Sequence, residues 1–176
     1  MTVGKQSGLN PGGPDPGHGG ELPFRGMEIR PARPEDLPRL VEIWEGAVRA
    51  THGFLTEDDI QSIRLQVEKM LPAAEGLTVS CLEGQPTGFM GLTPPREPGG
   101  EAEIDMLFIH PQAQGRGLGT ALIDFALNLH RPLRLSVNEQ NPQARVFYEN
   151  RGFVIIGRSP LDSQGRPFPL LHMRLN

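Results

Sequence analysis

The chain has 176 residues, of which 37% are hydrophobic and 22% charged, and its formal net charge is -4. This length and composition predict one globular domain, and the slight acidic excess argues against a nucleic-acid-binding protein, whose surface must be basic. The single cysteine, Cys81, excludes an internal disulfide bond and favours a cytoplasmic protein, and we expect neither a signal peptide nor a membrane-spanning segment.

Residues 1–25 alternate glycine and proline with almost no apolar side chain between them. Such a segment cannot recover the entropy that ordering costs, so it is predicted to be a flexible tail. Residues 26–176 are predicted to form a single domain. Its first half reads as strand, helix, helix and hairpin, because apolar positions alternate or recur at helical spacing. The predicted elements are Met27–Arg30, Pro34–Ala50, Thr56–Pro72, Leu77–Leu82 and Thr87–Leu92.

The second half of the domain alternates strands with helices and ends in two strands. The predicted elements are Glu101–Ile109, Thr120–Leu129, Leu133–Val137, Pro142–Asn150, Phe153–Arg158 and Leu170–Leu175. This order predicts an α/β (α+β) fold in which a mixed sheet is flanked by helices.

A glycine-rich turn, Gln114–Thr120, separates a predicted strand from a predicted helix. Backbone N–H groups of such a turn converge on one point, where the positive end of the helix dipole also favours a phosphate or pyrophosphate. The turn is not a Walker A loop, because no lysine follows the glycines. It also departs from the dinucleotide fingerprint, since its spacing is G-x-G-x-G and it lies late in the chain.

Two spaced motifs carry a resemblance to a known family. The turn reads Q-x-x-G-x-G, and Asn141–Phe153 reads N-x-x-A-x-x-F-Y-x-x-x-G-F. Together they resemble the GNAT N-acetyltransferases, and the segments Thr51–Leu55, Val137–Asn141 and Gly157–Leu171 are similar to its bacterial YjaB-type branch. The resemblance implies the GNAT (acyl-CoA N-acyltransferase) fold, with a mostly antiparallel sheet of six to seven strands and about four helices. It covers residue 27 to the C-terminus.

The resemblance also implies the reaction and the coenzyme site. We expect acetyl transfer from acetyl-CoA to a primary amine, a small molecule or a protein lysine, by direct attack and without a metal. The pyrophosphate is expected on the glycine turn, and the pantetheine arm on the backbone of the preceding strand, with the Leu107 N–H polarising the carbonyl. The expected coenzyme-binding residues are Leu107, Phe108, Ile109, Gln114, Gly115, Arg116, Gly117, Leu118, Gly119, Thr120, Asn141 and Tyr148.

The catalytic groups are expected on several elements. Tyr148 falls where the family places the residue that protonates the coenzyme thiolate, and an ordinary phenol has a pKa of about 10. Glu103 occupies the position of the catalytic glutamate in the histone-acetyltransferase branch, and Asp105 shares its strand face. One of them, or a water between them, is the expected base; His52 and then His172 are the other candidates.

Alternatives stay open at this point. The chain could be a coenzyme-A-binding sensor without turnover, or a nucleotide-phosphate binder that shares only the glycine turn; the intact Tyr148 and the missing Walker lysine weigh against them. Tyr148 could simply pack in the core, and Asn141 could cap the following helix. The expected partners are acetyl-CoA and an amine, with the protein a monomer or homodimer that binds neither nucleic acid nor membrane.

Overall fold

A computed structural model describes residues 26–74 and 76–176, so the predicted N-terminal tail lies outside the described residues. This part of the chain contains seven strands and four α-helices, as the sequence predicts. The strands are β1 (Met27–Pro31), β2 (Leu77–Leu82), β3 (Gln85–Thr93), β4 (Ala102–Ile109), β5 (Leu133–Asn138), β6 (Val154–Ser159) and β7 (Leu170–Leu175). The helices are α1 (Leu37–Thr51), α2 (Glu57–Met70), α3 (Leu118–Leu129) and α4 (Pro142–Asn150).

All seven strands belong to one sheet, in the order β1-β2-β3-β4-β5-β7-β6. Every neighbouring pair is antiparallel except β4 and β5, which run parallel. The predicted mixed, mostly antiparallel sheet is therefore confirmed. The parallel pair requires a crossover, and α3 supplies it between β4 and β5.

Local sequence signals explain where the first two helices begin. Pro34 opens a short 3₁₀ turn that leads into α1. At α2, the Thr56 hydroxyl accepts a hydrogen bond from the Asp59 N–H at 3.2 Å, and the Asp59 carboxylate accepts one from the Thr56 N–H at 2.9 Å. This capping box satisfies two N–H groups that the helix cannot pair internally.

The hydrophobic core is divided between the two sides of the sheet. On one side α1 and α2 cover β2, β3 and the end of β4, with Trp44, Val79 and Phe89 buried there. On the other side α3 and α4 cover β3, β4, β5 and β7 around Leu122 and Met173. Within residues 26–74 and 76–176, no helix is both long and apolar enough to cross a bilayer.

Candidate active site

The parallel strands β4 and β5 separate partway along their length. They pair only at three positions, Ala102 with Leu133, Glu103 with Arg134 and Ile104 with Leu135. From Asp105 onward β4 pairs only with β3, while β5 continues to pair with β7. The two strands therefore turn unpaired backbone edges toward each other across a gap.

A β-bulge in β4 marks the point where the strands separate. Leu92 of β3 opposes Ile104, whereas its neighbour Gly91 opposes Met106, so Asp105 is an extra residue in β4. A bulge bends the strand that carries it and increases its twist. It also shifts the alternation of β4 side chains between the two faces of the sheet. Ile104 and Leu107 are three residues apart, yet both pack against the α3–α4 core. Bending at Asp105 accounts for the gap to β5.

The gap opens into a groove of about 580 Å³. Its walls come from the free parts of β4 and β5, the glycine turn with the start of α3, the start of α4 and the end of α1. Among the sequence-predicted site residues, those on its lining are His52, Asp105, Leu107, Phe108, Ile109, Gln114, Gly115, Gly117, Leu118, Gly119, Thr120, Asn141 and Tyr148. Residues far apart in the chain thus meet around one cavity.

The glycine turn forms one end of the groove. Gly115 and Gly117 have φ of 73° and 74°, a left-handed conformation that side chains other than glycine adopt at a cost. Within the described residues, no side chain caps the N-terminus of α3, which begins at Leu118, two residues before the predicted start at Thr120. A Cβ at Gly119 would lie 3.2 Å from Cζ of Phe147, so α3 and α4 pack closely here. The turn leaves the first N–H groups of α3 accessible to an anion.

Tyr148 lies on the α3–α4 side of the groove. Its ring packs edge-on against Phe147 and Phe153, at centroid distances of 5.1 and 5.6 Å, and the residue is 8% exposed. Burial raises the pKa of the Tyr148 phenol well above its ordinary value, because the phenolate is poorly solvated there. The phenol therefore keeps its proton at neutral pH more firmly than an unperturbed tyrosine.

Two asparagines line the groove where β5 passes into α4. Asn141 is buried, and its Oδ1 accepts a hydrogen bond from the Ala144 N–H at 3.1 Å, so it caps α4. Asn138 was not predicted as a site residue. Its buried Oδ1 has no hydrogen-bond partner within the described residues, an arrangement that usually costs free energy. Both side chains thus place amide groups at the groove.

The candidate bases differ in their access to the groove. Asp105 is exposed on its lining and accepts a hydrogen bond from the Thr93 hydroxyl at 2.6 Å. Glu103 does not line the groove and forms an ion pair with Arg134. Thr93 pairs directly with Glu103 across the β3–β4 ladder, so both carboxylates lie on the side of the sheet that faces away from Tyr148.

His52 lies at the C-terminal end of α1, on the same side of the sheet as Asp105. Its Nδ1 is 2.8 Å from the Thr51 hydroxyl, and its ring contacts Phe54 at a centroid distance of 5.3 Å. Burial lowers the pKa of His52 below its usual value, because the imidazolium is poorly solvated. The imidazole is therefore predominantly neutral at pH 7 and available to accept a proton.

Arg116 is the one predicted coenzyme contact that points elsewhere. It lines a separate groove of about 420 Å³ together with Arg39, His110 and Gln112. The residues on either side of it, Gly115 and Gly117, both have left-handed backbone conformations. Among the predicted site residues and candidate bases, Arg116, Glu103 and His172 do not line the main groove.

Comparison with known proteins yields the same family from sequence and from structure. The model of the Acetyltransferase (GNAT) family matches residues 37–153. The peptidyl-lysine N-acetyltransferase YjaB of Salmonella typhimurium is 40% identical over 147 residues, 84% of this chain and 97% of that protein. The 5-NmdU N-acetyltransferase of Pseudomonas phage PaMx11 is 41% identical over 135 residues, 74% of this chain and 89% of that protein.

A solved structure extends the similarity to the fold. The solution structure of apo-form YjaB from Escherichia coli has a TM-score of 0.76 and 40% identity, and the match covers 84% of this chain and 96% of that one. The residues that the family model matches include both motifs and the strands β4 and β5 on either side of the groove.

Proposed function

Since this chain belongs to the GNAT family of acetyl-CoA-dependent N-acetyltransferases, we propose that it acetylates the side-chain amine of lysine residues in proteins, using the groove between β4 and β5. The observation that carries the proposal is the groove itself, which joins the glycine turn and Tyr148 on one side of the sheet to Asp105 and His52 on the other. A thioester and an amine can meet within such a passage from opposite sides.

The coenzyme would enter from the α3–α4 side. Its pyrophosphate would accept hydrogen bonds from N–H groups of Gly115 to Thr120, where the left-handed glycines expose the backbone. The pantetheine arm would then occupy the gap beyond Ile104, where both β4 and β5 have free backbone edges. Amide groups of the arm would satisfy those edges as a strand does, and Asn141 lies beside its path.

The thioester would be polarised and its leaving group protonated by groups already in the groove. The Leu107 N–H is the proposed donor to the carbonyl oxygen, which gains negative charge as the amine attacks. When the C–S bond breaks, the Tyr148 phenol would protonate the coenzyme thiolate. Its raised pKa keeps the phenol protonated until that moment, and the same burial raises the basicity of the thiolate that forms beside it, so that the thiolate can take the proton.

The amine would approach from the opposite side of the sheet. Within the described part of the chain, Asp105 is the one carboxylate on the groove lining, and no arginine or lysine lies there. Such a lining favours a cationic group, and a carboxylate hydrogen-bonds an ammonium strongly. The peptidyl-lysine activity named for the YjaB relative, which aligns over 97% of its length, supports lysine as this cation.

The experiment combines binding with turnover. Acetyl-CoA binding is measured by titration calorimetry, and thiol release is then followed with a peptide that contains one internal lysine. Both peptides are acetylated at the N-terminus, so that the matched peptide with arginine at that position keeps the charge but has no reactive amine, and it should release no thiol. Tyr148→Phe removes one hydroxyl and should lower kcat about 100-fold while the Kd for acetyl-CoA stays unchanged, because general acids contribute of that order.

Three results would contradict different parts of the proposal. Binding without thiol release from any amine would identify a coenzyme-binding module without turnover. Thiol release with small amines but not with the lysine peptide would retain the transferase and reject the acceptor. Absence of acetyl-CoA binding would reject the assignment of the groove.

A further inference from the structure

A histidine outside the groove connects it to the edge of the sheet. His172 lies on β7, between β5 and β6, and hydrogen-bonds through both ring nitrogens. Its Nδ1 is 2.9 Å from the Ser136 Oγ on β5, and its Nε2 is 2.7 Å from the Ser159 Oγ on β6. Ser136 is exposed and lines the groove. The three residues therefore form a continuous hydrogen-bonded chain that crosses three strands.

The strand register places the three residues of this hydrogen-bonded chain beside one another. His172 pairs with Ser136 on one side and with Gly157 on the other. Gly157 has no side chain, and a Cβ there would lie 3.5 Å from Cδ2 of His172, in direct contact with the ring. The imidazole thus lies beside β6 at Gly157 and reaches the hydroxyl of Ser159, two residues farther along. The half-buried ring has little room to rotate away.

The hydrogen-bonded chain of Ser136, His172 and Ser159 lies on the side of the sheet from which the acceptor amine would approach. Leu135 and Val137 point into the α3–α4 core, so Ser136 between them points to the opposite side, where Asp105 also lies. An amine held by Asp105 would therefore have a hydroxyl on the facing wall of the groove.

The charged side chains that flank His172 on the described strands form ion pairs, and the hydrogen-bond partners of the ring are the two serines. On the same side of the sheet, β5 carries Arg134 and β7 carries Arg174, each two residues away. Arg134 pairs with Glu103, and Arg174 pairs with Glu101. From β6, the residues that face the ring are Gly157 and Ser159, neither of which is charged. Both partners of the ring are hydroxyls, which can donate and accept protons in turn.

We infer that Ser136, His172 and Ser159 form a proton relay that removes the acceptor ammonium's first proton; this inference rests on the proposed acetyl transfer. The ammonium gives a proton to the Ser136 oxygen while the Ser136 hydroxyl proton passes to Nδ1 of His172. The imidazolium then releases its Nε2 proton to the Ser159 oxygen, and the Ser159 hydroxyl proton passes to water. The ring regains its first tautomer by exchanging protons with solvent.

The remaining protons balance within the site. The neutral amine attacks the thioester, the C–N bond forms and the C–S bond breaks. Tyr148 protonates the thiolate, and the second ammonium proton, which is lost after the attack, restores the Tyr148 phenol. One proton in total leaves for the solvent, by way of His172. His172 touches neither substrate, so it acts through Ser136.

The test measures lysine-peptide acetylation against pH in His172→Gln and Ser136→Ala. Glutamine keeps hydrogen-bonding groups but does not take up a proton. At pH 7 we expect kcat to fall about 10- to 100-fold in both variants, in the range of general acid–base contributions, while the Kd for acetyl-CoA stays unchanged. The deficit should shrink as the pH approaches the lysine pKa of about 10.4, because the amine then arrives neutral. His130→Gln, at the end of α3 and away from the groove, is the matched control.

A structural role would produce a different result. An equal deficit at every pH, or wild-type rates in Ser136→Ala, would overturn the relay. Ser136 is exposed, so its variant decides the question even if His172→Gln folds poorly. If thiol release falls in Tyr148→Phe but stays at the wild-type rate in His172→Gln, the relay alone is rejected and the proposed transfer stands. Absence of thiol release in the wild-type protein would reject the proposed transfer together with the relay.

Discussion

The two halves of the sheet are built differently. Strands β1 to β4 are covered by α1 and α2 on one side and by α3 on the other, and Val79, Phe89 and Met90 there are fully buried. In the described part of the chain, helices cover strands β5, β7 and β6 only on the α3–α4 side, and the edge strand β6 leaves Val154 and Ile156 59% and 57% exposed. The first half is a closed core, and the second has an open face.

The groove lies at the junction between the halves, where only three residue pairs connect them. The closed half supplies rigid backbone, including the free edge of β4 and the bulge at Asp105. The open half supplies access, because no helix within residues 26–74 and 76–176 covers Ser136 and His172. A site placed at this junction combines a fixed coenzyme position with an approach for a large acceptor.

The largest effect is expected on stability in the closed half. Phe89→Ala removes a fully buried ring that packs on Phe108 at 5.6 Å, and it should lower the free energy of unfolding by about 4 kcal/mol. Val154→Ala in the open half should change the free energy of unfolding by less than about 0.5 kcal/mol. Urea denaturation measures both. Similar losses in the two variants would show that the halves contribute equally to the core.

At the junction, substitution of the two carboxylates of β4, Asp105 and Glu103, should affect catalysis to different extents. Asp105→Asn removes the charge on the groove lining and should lower kcat/KM for a lysine peptide roughly 30-fold, the equivalent of about 2 kcal/mol for a hydrogen bond to a charged group. Glu103→Gln breaks a partly exposed ion pair and should lower kcat/KM for the same peptide less than about threefold. The opposite ranking would make Glu103 the functional carboxylate.

A matched glycine pair tests whether the turn before α3 binds the coenzyme. Gly115 and Gly99 have φ of 73° and 77°, and a Cβ at either would meet no atom within 4 Å. Alanine should therefore lower stability by about 1 kcal/mol at both sites through left-handed strain alone. Only Gly115→Ala should also weaken acetyl-CoA binding, measured by calorimetry. Equal coenzyme affinity in the two variants would remove the turn from the site.

The smallest effect concerns the pH dependence of stability at the groove. Burial holds the folded-state pKa of His52 below the unfolded value of about 6.5, so the unfolded chain binds more protons. The contribution of His52 to stability is therefore complete above that pH and is lost as pH falls through the folded-state pKa. His52→Gln should flatten the pH dependence of the unfolding free energy below pH 6.5. An unchanged slope would show that the imidazole is well solvated.

The elements and the family could be predicted because their signals are local. The period of the apolar residues predicts each helix and strand, Thr56 with Asp59 predicts the start of α2, and the glycine spacing before α3 predicts a phosphate-binding turn. The two motifs predict the fold through resemblance, and the relatives confirm it. The roles of Tyr148 and Asn141 remain predictions, although both residues line the groove.

Only the tertiary structure decided how the strands separate and which side chains meet. The extra residue Asp105 is recognisable only against its partner strand, since a bulge is a property of a pair of strands. Arg116 and Glu103 lie outside the main groove. Glu103 is held by an ion pair with Arg134 of β5, and Arg116 lines a second groove with Arg39 of α1, so in both cases the partner comes from a distant segment. Local periodicity and spacing thus determined the elements, and strand register determined the site, including the contact of His172 with Ser136 across β5 and β7.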